Sequence, residues 1–338
     1  MRKIKTIGFS ALVLLLCSCT ATKKYLESYA PEEGGLNVQK ITDESSNTVL
    51  GPGTYAGNAT SFASSSLGGS KAAKFYWSTS RLLDVSPDGT ELAYMSRNNK
   101  QDNVMIRRST AQGAATQRTF RDLNSLSWGK DNQLYFSDVS DDAHAQICTT
   151  DAHVGSLLRQ LTNSNIDRDP VVTSDGSLMF FTRFDRSGPS VWSLDLKTGS
   201  LTSCARGYNP CVIGDSKDEF ICVRNNSNGQ SEIWRVNFVL GQETLILSDK
   251  NRSYTNPSIS PDGIWIVCEG NSKSTINKKN NLDIFAALVD GTSIVQLTYH
   301  PANDCCPVFS ADGKSIYFIS DRANKNDAYN IWKIRFDL

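Results

Sequence analysis

Along most of the chain, short apolar runs are separated by polar turns that carry Asp and Gly, and the arrangement recurs. The clearest turn is Ser86-Pro87-Asp88-Gly89. It returns as Ser174-Asp175-Gly176, Ser260-Pro261-Asp262-Gly263 and Ser310-Ala311-Asp312-Gly313. Two degenerate copies fill the gaps, Trp128-Gly129-Lys130-Asp131-Asn132 and Ile213-Gly214-Asp215-Ser216-Lys217-Asp218. Anchored on Asp, the copies fall at 88, 131, 175, 215, 262 and 312, intervals of 43, 44, 40, 47 and 50 residues. Pro presets φ at the first central position of a type I turn, Asp suits the next, and Gly accepts the left-handed conformation that closes the hairpin. An apolar run follows each turn (Glu91–Met95, Leu134–Phe136, Leu178–Phe181, Phe220–Val223, Trp265–Cys268, Ser315–Ile319), then a third run (Val104–Ile106, Gln146–Cys148, Val191–Leu194, Ile233–Val236, Ile284–Leu288, Ile331–Ile334). Several units end on Leu-Thr, as in Gln160-Leu161-Thr162 and Gln296-Leu297-Thr298. A period near 45 residues with about four short strands per unit predicts an all-β fold, a six-bladed β-propeller.

The sixth unit ends after its third strand. Near the other end, Leu36-Asn37-Val38-Gln39-Lys40-Ile41-Thr42 is similar to the Gln-Leu-Thr strands of units two and five. Residues 36–42 are therefore expected to supply the missing strand and close the ring, which removes unpaired sheet edges. The propeller then occupies 36–338, with 44–74 as an insertion loop.

Unit six shows the repeat most fully, from Pro307-Val308-Phe309-Ser310-Ala311-Asp312-Gly313 through Ile316-Tyr317-Phe318-Ile319 to Ser320-Asp321-Arg322. This pattern resembles the TolB-type propeller repeat over roughly residues 75 to 338. The resemblance implies fold more than function, because one fold hosts many roles. The TolB family carries an α/β domain before its propeller. Here residues 20 to 75 precede the first blade, partly Ser/Gly-rich between Gly57 and Gly69. The pattern fits a propeller-only relative.

The N-terminus changes the picture of where such a propeller works. Met1-Arg2-Lys3-Ile4-Lys5 is basic, and Ile7 to Leu16 is a ten-residue, mostly apolar stretch. That is too short to span a bilayer core of about 30 Å as a helix and fits a cleaved signal peptide over residues 1–18. Leu16-Cys17-Ser18-Cys19 resembles the bacterial lipobox. Cys19 is the expected lipid acceptor because the small Ser18 precedes it; Cys17 is the alternative. By that resemblance the mature chain begins at Cys19 on a multi-chain lipid tether, with 19–35 as a polar linker. Thr20, rather than Asp, at the next position implies the outer membrane under the enteric sorting scheme. The expected location is the cell envelope, lipid-anchored, facing the periplasm or the cell surface.

Charge and residue chemistry narrow the function. The 35 Lys and Arg balance 35 Asp and Glu, which argues against a nucleic-acid partner. Gly214-Asp215-Ser216 lacks the second Gly of a nucleophile elbow. His144, His153 and His300 are the three histidines; the nine-residue spacing of the first two, near Asp141 and Asp142, matches no zinc motif. No catalytic residue, metal or cofactor is expected. Beyond the signal peptide lie Cys148, Cys204, Cys211, Cys222, Cys268, Cys305 and Cys306. Cys204 and Cys211 could close a short loop, whereas Cys222 and Cys268 read as small core residues. Trp192, Trp234 and Trp332 recur at one strand position and read as packing between blades.

Segments that lead from one blade to the next cross the channel mouth, and loops on a rigid scaffold are usual binding surfaces. The candidate binding residues are Asn124, Asp167, Arg168, Asp169, Tyr208, Asn209, Tyr254, Asn256, Asn303 and Asp304. The expected function is a non-catalytic scaffold for an envelope protein or peptide. Two alternatives stand beside it: a glycan lyase or hydrolase using Asp167, Asp169, Asp304 and Arg168 as acid, base and clamp, or a glycan-binding module of an uptake system.

Overall fold

A computed structural model describes residues 31–43, 49–51, 81–98, 101–109, 115–119, 123–139, 145–154, 157–323 and 328–337. The expected signal peptide, the Cys19 acceptor, most of the 44–74 insertion, and His144 with Asp141 and Asp142 lie outside these residues. The described chain folds into six antiparallel four-stranded sheets. Taken from the innermost strand outward, blade 1 runs through Leu83–Val85, Glu91–Asn98, Gln101–Arg108 and Thr116–Gln117; blade 2 through Leu123–Trp128, Gln133–Asp138, Gln146–Asp151 and Arg159–Gln160; blade 3 through Asp167–Val172, Leu178–Asp185, Gly188–Asp195 and Leu201–Arg206. Blade 4 comprises Tyr208–Val212, Glu219–Asn225, Ser231–Asn237 and Gln242–Leu247; blade 5 comprises Tyr254–Ile259, Trp265–Lys273, Asn280–Leu288 and Ile294–Gln296. Blade 6 takes Asp304–Phe309, Ser315–Ser320 and Asn330–Arg335 from the end of the chain and Gln39–Lys40 from its beginning.

The repeated turn works as its residues predict. In blade 6, Ser310 Oγ accepts the Ser315 N–H at 3.0 Å and donates to Asp312 Oδ1 at 2.6 Å, while Asp312 accepts the Lys314 N–H at 3.0 Å. Gly313 sits at φ +70°. The same set recurs at Ser86, Asp88 and Thr90 and at Ser260, Asp262 and Ile264; in blade 3, Thr173 replaces Ser. In the degenerate turn of blade 2 the left-handed position falls to Asn132, φ +64°, the residue after Gly that tolerates it best.

A second repeated device explains the Leu-Thr endings. The Thr hydroxyl accepts a third-strand backbone N–H: Thr119 from Val104 at 2.9 Å, Thr162 from Ile147 at 3.0 Å, Thr298 from Ile284 at 2.8 Å. Thr42 does the same for Ile331 at 2.8 Å and donates to Asn330 Oδ1 at 2.9 Å. Gln39 lies opposite Lys333 and Lys40 opposite Trp332. The N-terminal segment thus carries the outer-strand chemistry of the internal blades.

Cores form between blades, as in Phe180, Phe220 and Phe238 between blades 3 and 4, with ring centroids 5.1 to 6.2 Å apart. Phe180 and Phe220, both fully buried, contribute about 1.5–3 kcal/mol each. Trp332 is buried. Trp192 and Trp234 are half-buried and lie under Arg183 and Arg224, at 4.4 and 5.0 Å from ring centre to guanidinium carbon. At these two positions packing between blades is thus shared with a cation–π stack. Among the described residues, no helix is long and apolar enough to cross a membrane.

Candidate functional site: the axial channel and its mouth

Except for Asn303, the candidate residues sit at the start of the inner strands rather than in the loops before them. The reason is a shared irregularity. In blades 2 to 6 the inner strand carries a bulge whose central residue is left-handed: Ser125, Asp169, Asn209, Asn256 and Cys306, at φ +47° to +54°. In four of them Pro follows, which fixes the next φ. The bulge absorbs the break, so the strand resumes pairing upstream and draws Asp167, Tyr208, Tyr254 and Asp304 into the sheet.

These five residues ring the axis and bolt neighbouring blades together. The Asp169 N–H donates to Ser125 Oγ at 3.1 Å, the Asn209 N–H to Thr182 Oγ1 at 3.2 Å, and the Cys306 N–H to Glu269 Oε2 at 2.8 Å. Asn256 donates to Glu269 Oε1 at 3.1 Å and lies 3.8 Å from Cys306 Sγ. Among the described residues, the inner strand of blade 1 shows no such bulge. Its contribution is Arg81, whose Nη2 reaches across the axis to the carbonyl oxygens of Pro210 (3.5 Å) and Pro257 (3.4 Å). Arg81 therefore bars the channel.

Around this ring the candidate residues have distinct surroundings. Asn124 is buried, with Oδ1 lacking a hydrogen bond among the described residues, as does Asn209 Oδ1. Both carboxylate oxygens of Asp169 are likewise buried without a close hydrogen bond, Arg168 Nη2 standing 3.6 Å from Oδ1, and burial raises its pKa against the opposing pull of Arg168. Arg168 is fully buried over the Phe184 ring at 5.0 Å. Asp167 accepts a bidentate pair from Arg183 at 2.7 and 3.0 Å. The Tyr208 hydroxyl meets Asn225 at 2.9 Å and Ser231 at 3.0 Å, and Tyr254 packs edge-on against Phe285. Asn303, half-exposed, accepts the Leu282 N–H at 3.3 Å. The ring brings Asp169, Asn209 and Asn256 together, with Asn124 and Arg168 beside it. Asp167, Tyr208, Tyr254 and Asp304 face their own blades instead, and Asn303 reaches toward blade 5 through the Leu282 N–H.

Asp304 belongs to a buried cluster that pattern reading does not reveal. Arg322 donates to both Asp304 oxygens and to Glu33, Nη1 to Oε2 at 3.0 Å and Nη2 to Oε1 at 3.2 Å; all three residues are fully buried. Glu33 Oε1 also accepts the N–H groups of Tyr299 (2.6 Å) and His300 (3.2 Å). Glu33 falls in the stretch expected as linker, yet it is part of the folded body. Burial, with Glu33 adding to it, pushes Asp304 up to about 6 despite Arg322. Nearby Asp283 is pushed up to about 8, first by burial and then by Asp304. Arg322, drawn down by burial, is held above its ordinary value by Asp304 and Glu33.

One trio of metal-ligating type, Glu269, Cys305 and Cys306, converges within 4.8 Å. Its members have other work: Glu269 accepts from Thr255, Asn256 and the Cys306 N–H, and Cys305 Sγ–H donates to the Ile319 carbonyl at 3.3 Å. Burial keeps the Cys305 thiol well above its ordinary pKa, hence protonated. The trio is a brace between blades 5 and 6. All seven described cysteines are free thiols.

Outside the ring, the mouth presents the half-exposed or exposed segments 163–166, 185–187, 226–230 and 248–253. A rim cleft of about 240 Å³ between blades 3 and 4 is lined by Ser187, Arg206, Tyr208 and Arg224, among others.

A family model described as the TolB beta propeller domain matches residues 68–275. The chain belongs to the TolB β-propeller family. No curated protein matches the sequence. Among solved structures, this TolB-family propeller is similar to a putative TolB from Agrobacterium tumefaciens (TM-score 0.57, 15% identity, covering 76% of this chain and 90% of that one). It is similar to TolB from Acinetobacter baumannii (0.57, 14%, 78% and 67%) and to an oligogalacturonate lyase in complex with manganese (0.52, 13%, 75% and 88%). At these identities the likeness is one of fold.

Proposed function

We propose that this TolB-family propeller is a lipid-anchored envelope protein that binds another envelope protein or peptide at its mouth face, without catalysing a reaction. The observation that carries this reading is the commitment of three of the mouth's polar candidate residues to architecture. Asp167 is held by Arg183, Asp304 by Arg322, and Asn256 by Glu269, while Arg81 bars passage through the axis. A rigid rim bearing polar segments suits a broad contact. The signal stretch and Cys19 support an envelope location, and the TolB family match agrees with it.

The test is affinity capture from envelope extracts with the intact mature protein, repeated after residues 163–166 and 226–230 are replaced by Gly-Ser sequence. Capture of one partner that the replacement abolishes supports the reading; equal capture removes the mouth as the site. Cys19→Ser should move the protein from membrane to soluble fractions. Release of unsaturated products from a polyuronide by the purified protein would replace the scaffold reading with that of a lyase.

A further inference from the structure

Below the Arg81 bar, at the end of the axis remote from the mouth, the second halves of all six inner strands enclose a cavity of about 210 Å³. Val171, Val212, Ile259 and Val308 supply apolar wall, and the polar lining, at least as large, includes Arg81, Ser127, Ser258 and Lys130. We propose that this basal cavity binds a small carboxylate with an apolar body, its carboxylate seated on the Arg81 guanidinium.

Three observations carry this. The first is that Arg81 keeps donor capacity. A guanidinium has five N–H donors; here Nη2 makes two contacts of 3.4 and 3.5 Å to carbonyl oxygens, well beyond the 2.7–2.9 Å of a charge-assisted bond, and the Cys211 thiol and the Asp84 carboxyl stand beside the guanidinium. The second is the sign of the charge: Arg81 disfavours a cation, while Lys130, exposed and 3.6 Å from Asp215, adds a weaker positive charge at the rim. Asp84 is the one carboxylate lining the cavity. Its oxygens already accept the N–H groups of Val85 (2.9 Å) and Trp128 (2.8 Å), and burial raises its pKa against the pull of Arg81. The third is size. At about 10–15 Å³ per water-sized centre, the volume of about 210 Å³ holds roughly fifteen to twenty such centres, room for an amino-acid-sized ligand. Such an occupant is either a free small acid or the carboxyl-terminal residue of a polypeptide. The site is remote from the mouth, so its failure leaves the proposed mouth interaction standing.

The experiment is isothermal titration of the full mature protein with three probes: 4-methylpentanoate, N-acetyl-L-leucine and N-acetyl-L-leucinamide. The expected result is binding of at least one carboxylate at about 1 mM or tighter, with the amide at least roughly ten-fold weaker. N-acetyl-L-leucine alone points to a chain end, and 4-methylpentanoate alone to a free acid. Arg81→Gln should abolish binding. Ser258→Phe, which fills the cavity while keeping Arg81, should abolish it too and decides the matter if Arg81→Gln fails to fold. Asp84→Asn removes the competing carboxyl and should tighten binding several-fold. Equal binding of acid and amide, no binding by either acid, or loss of binding in Asp84→Asn overturns the proposal.

Discussion

Asp283 gives the sharpest prediction because its carboxyl is buried beside other acids. It lies near Asp304 and Glu33, with Arg322 as the opposing charge, and it accepts hydrogen bonds from Ser272, Gln296 (3.0 Å) and Thr298 (3.4 Å). In the unfolded chain it ionises near 3.8; in the fold it keeps its proton until about 8. Between those values the folded state binds more protons than the unfolded state, so stability falls as pH rises, by about 1.4 kcal/mol per unit. The informative window is pH 6 to 8, above the value of about 6 for Asp304, where Asp283 alone should cost roughly 2–3 kcal/mol. Asp283→Asn imitates the protonated carboxyl and removes this slope. The assay is urea unfolding of both proteins at pH 6, 7 and 8, followed by tryptophan fluorescence. Histidine titration is common to both and cancels in the difference. The variant should gain on the parent steadily across the window. A difference that does not change with pH refutes the reasoning.

Three further perturbations test other parts of the framework. Glu33→Ala leaves Arg322 with one carboxylate partner in a fully buried site and should cost about 3–5 kcal/mol; a loss under about 1 kcal/mol in the urea midpoint would show that Glu33 merely lies there. Thr42→Val keeps the shape but strands the buried Ile331 N–H, at about 1–3 kcal/mol, and should let protease clip the N-terminal segment sooner, whereas unchanged clipping counts against its role in blade 6. Gly207 lies at φ +133°, and a Cβ there would meet Cys222 Sγ at 2.8 Å and the Val223 carbonyl at 2.9 Å. Gly207→Ala should therefore cost more than Gly188→Ala, at φ +103° in open space, by about 1–3 kcal/mol in denaturation; equal costs would mean the close approach relaxes freely.

The repeat was legible because each blade writes its turn chemistry locally. Ser, Asp and Gly within four residues of each other make the same hydrogen bonds wherever they fall, so spacing alone counts the blades. The Thr of Leu-Thr is legible for the same reason, and it let residues 36–42 be matched to blade 6. The polar residues of the inner strands were visible as types but not as roles. Asp167 and Asp304 look alike in sequence, and both accept an Arg on the second strand or just beyond it; whether such an acid faces a ligand or a neighbour depends on the bulge that follows it. That bulge is set by a left-handed residue before Pro, a signal written in Asp169-Pro170, Asn209-Pro210, Asn256-Pro257 and Cys306-Pro307, though reading those pairs as turn formers misses the strand they permit.

Glu33 was illegible for a different reason, and the reason bears on how the molecule holds together. Its partners are Tyr299, His300 and Arg322, 266 to 289 residues away, and no local pattern encodes a contact at that separation. A buried arginine between two carboxylates is weak evidence for stability as such, since an apolar replacement of the same volume often does as well. It is stronger evidence for specificity. Lys333 and Trp332 would accept any extended segment as an outer strand, because edge pairing reads backbone. Glu33 adds a demand that a stray strand cannot meet: a carboxylate six residues before Gln39, satisfying a guanidinium and two N–H groups that burial has removed from water. The edge of blade 6 is thereby reserved for the protein's own N-terminal segment, which Glu33 holds beside the junction of blades 5 and 6.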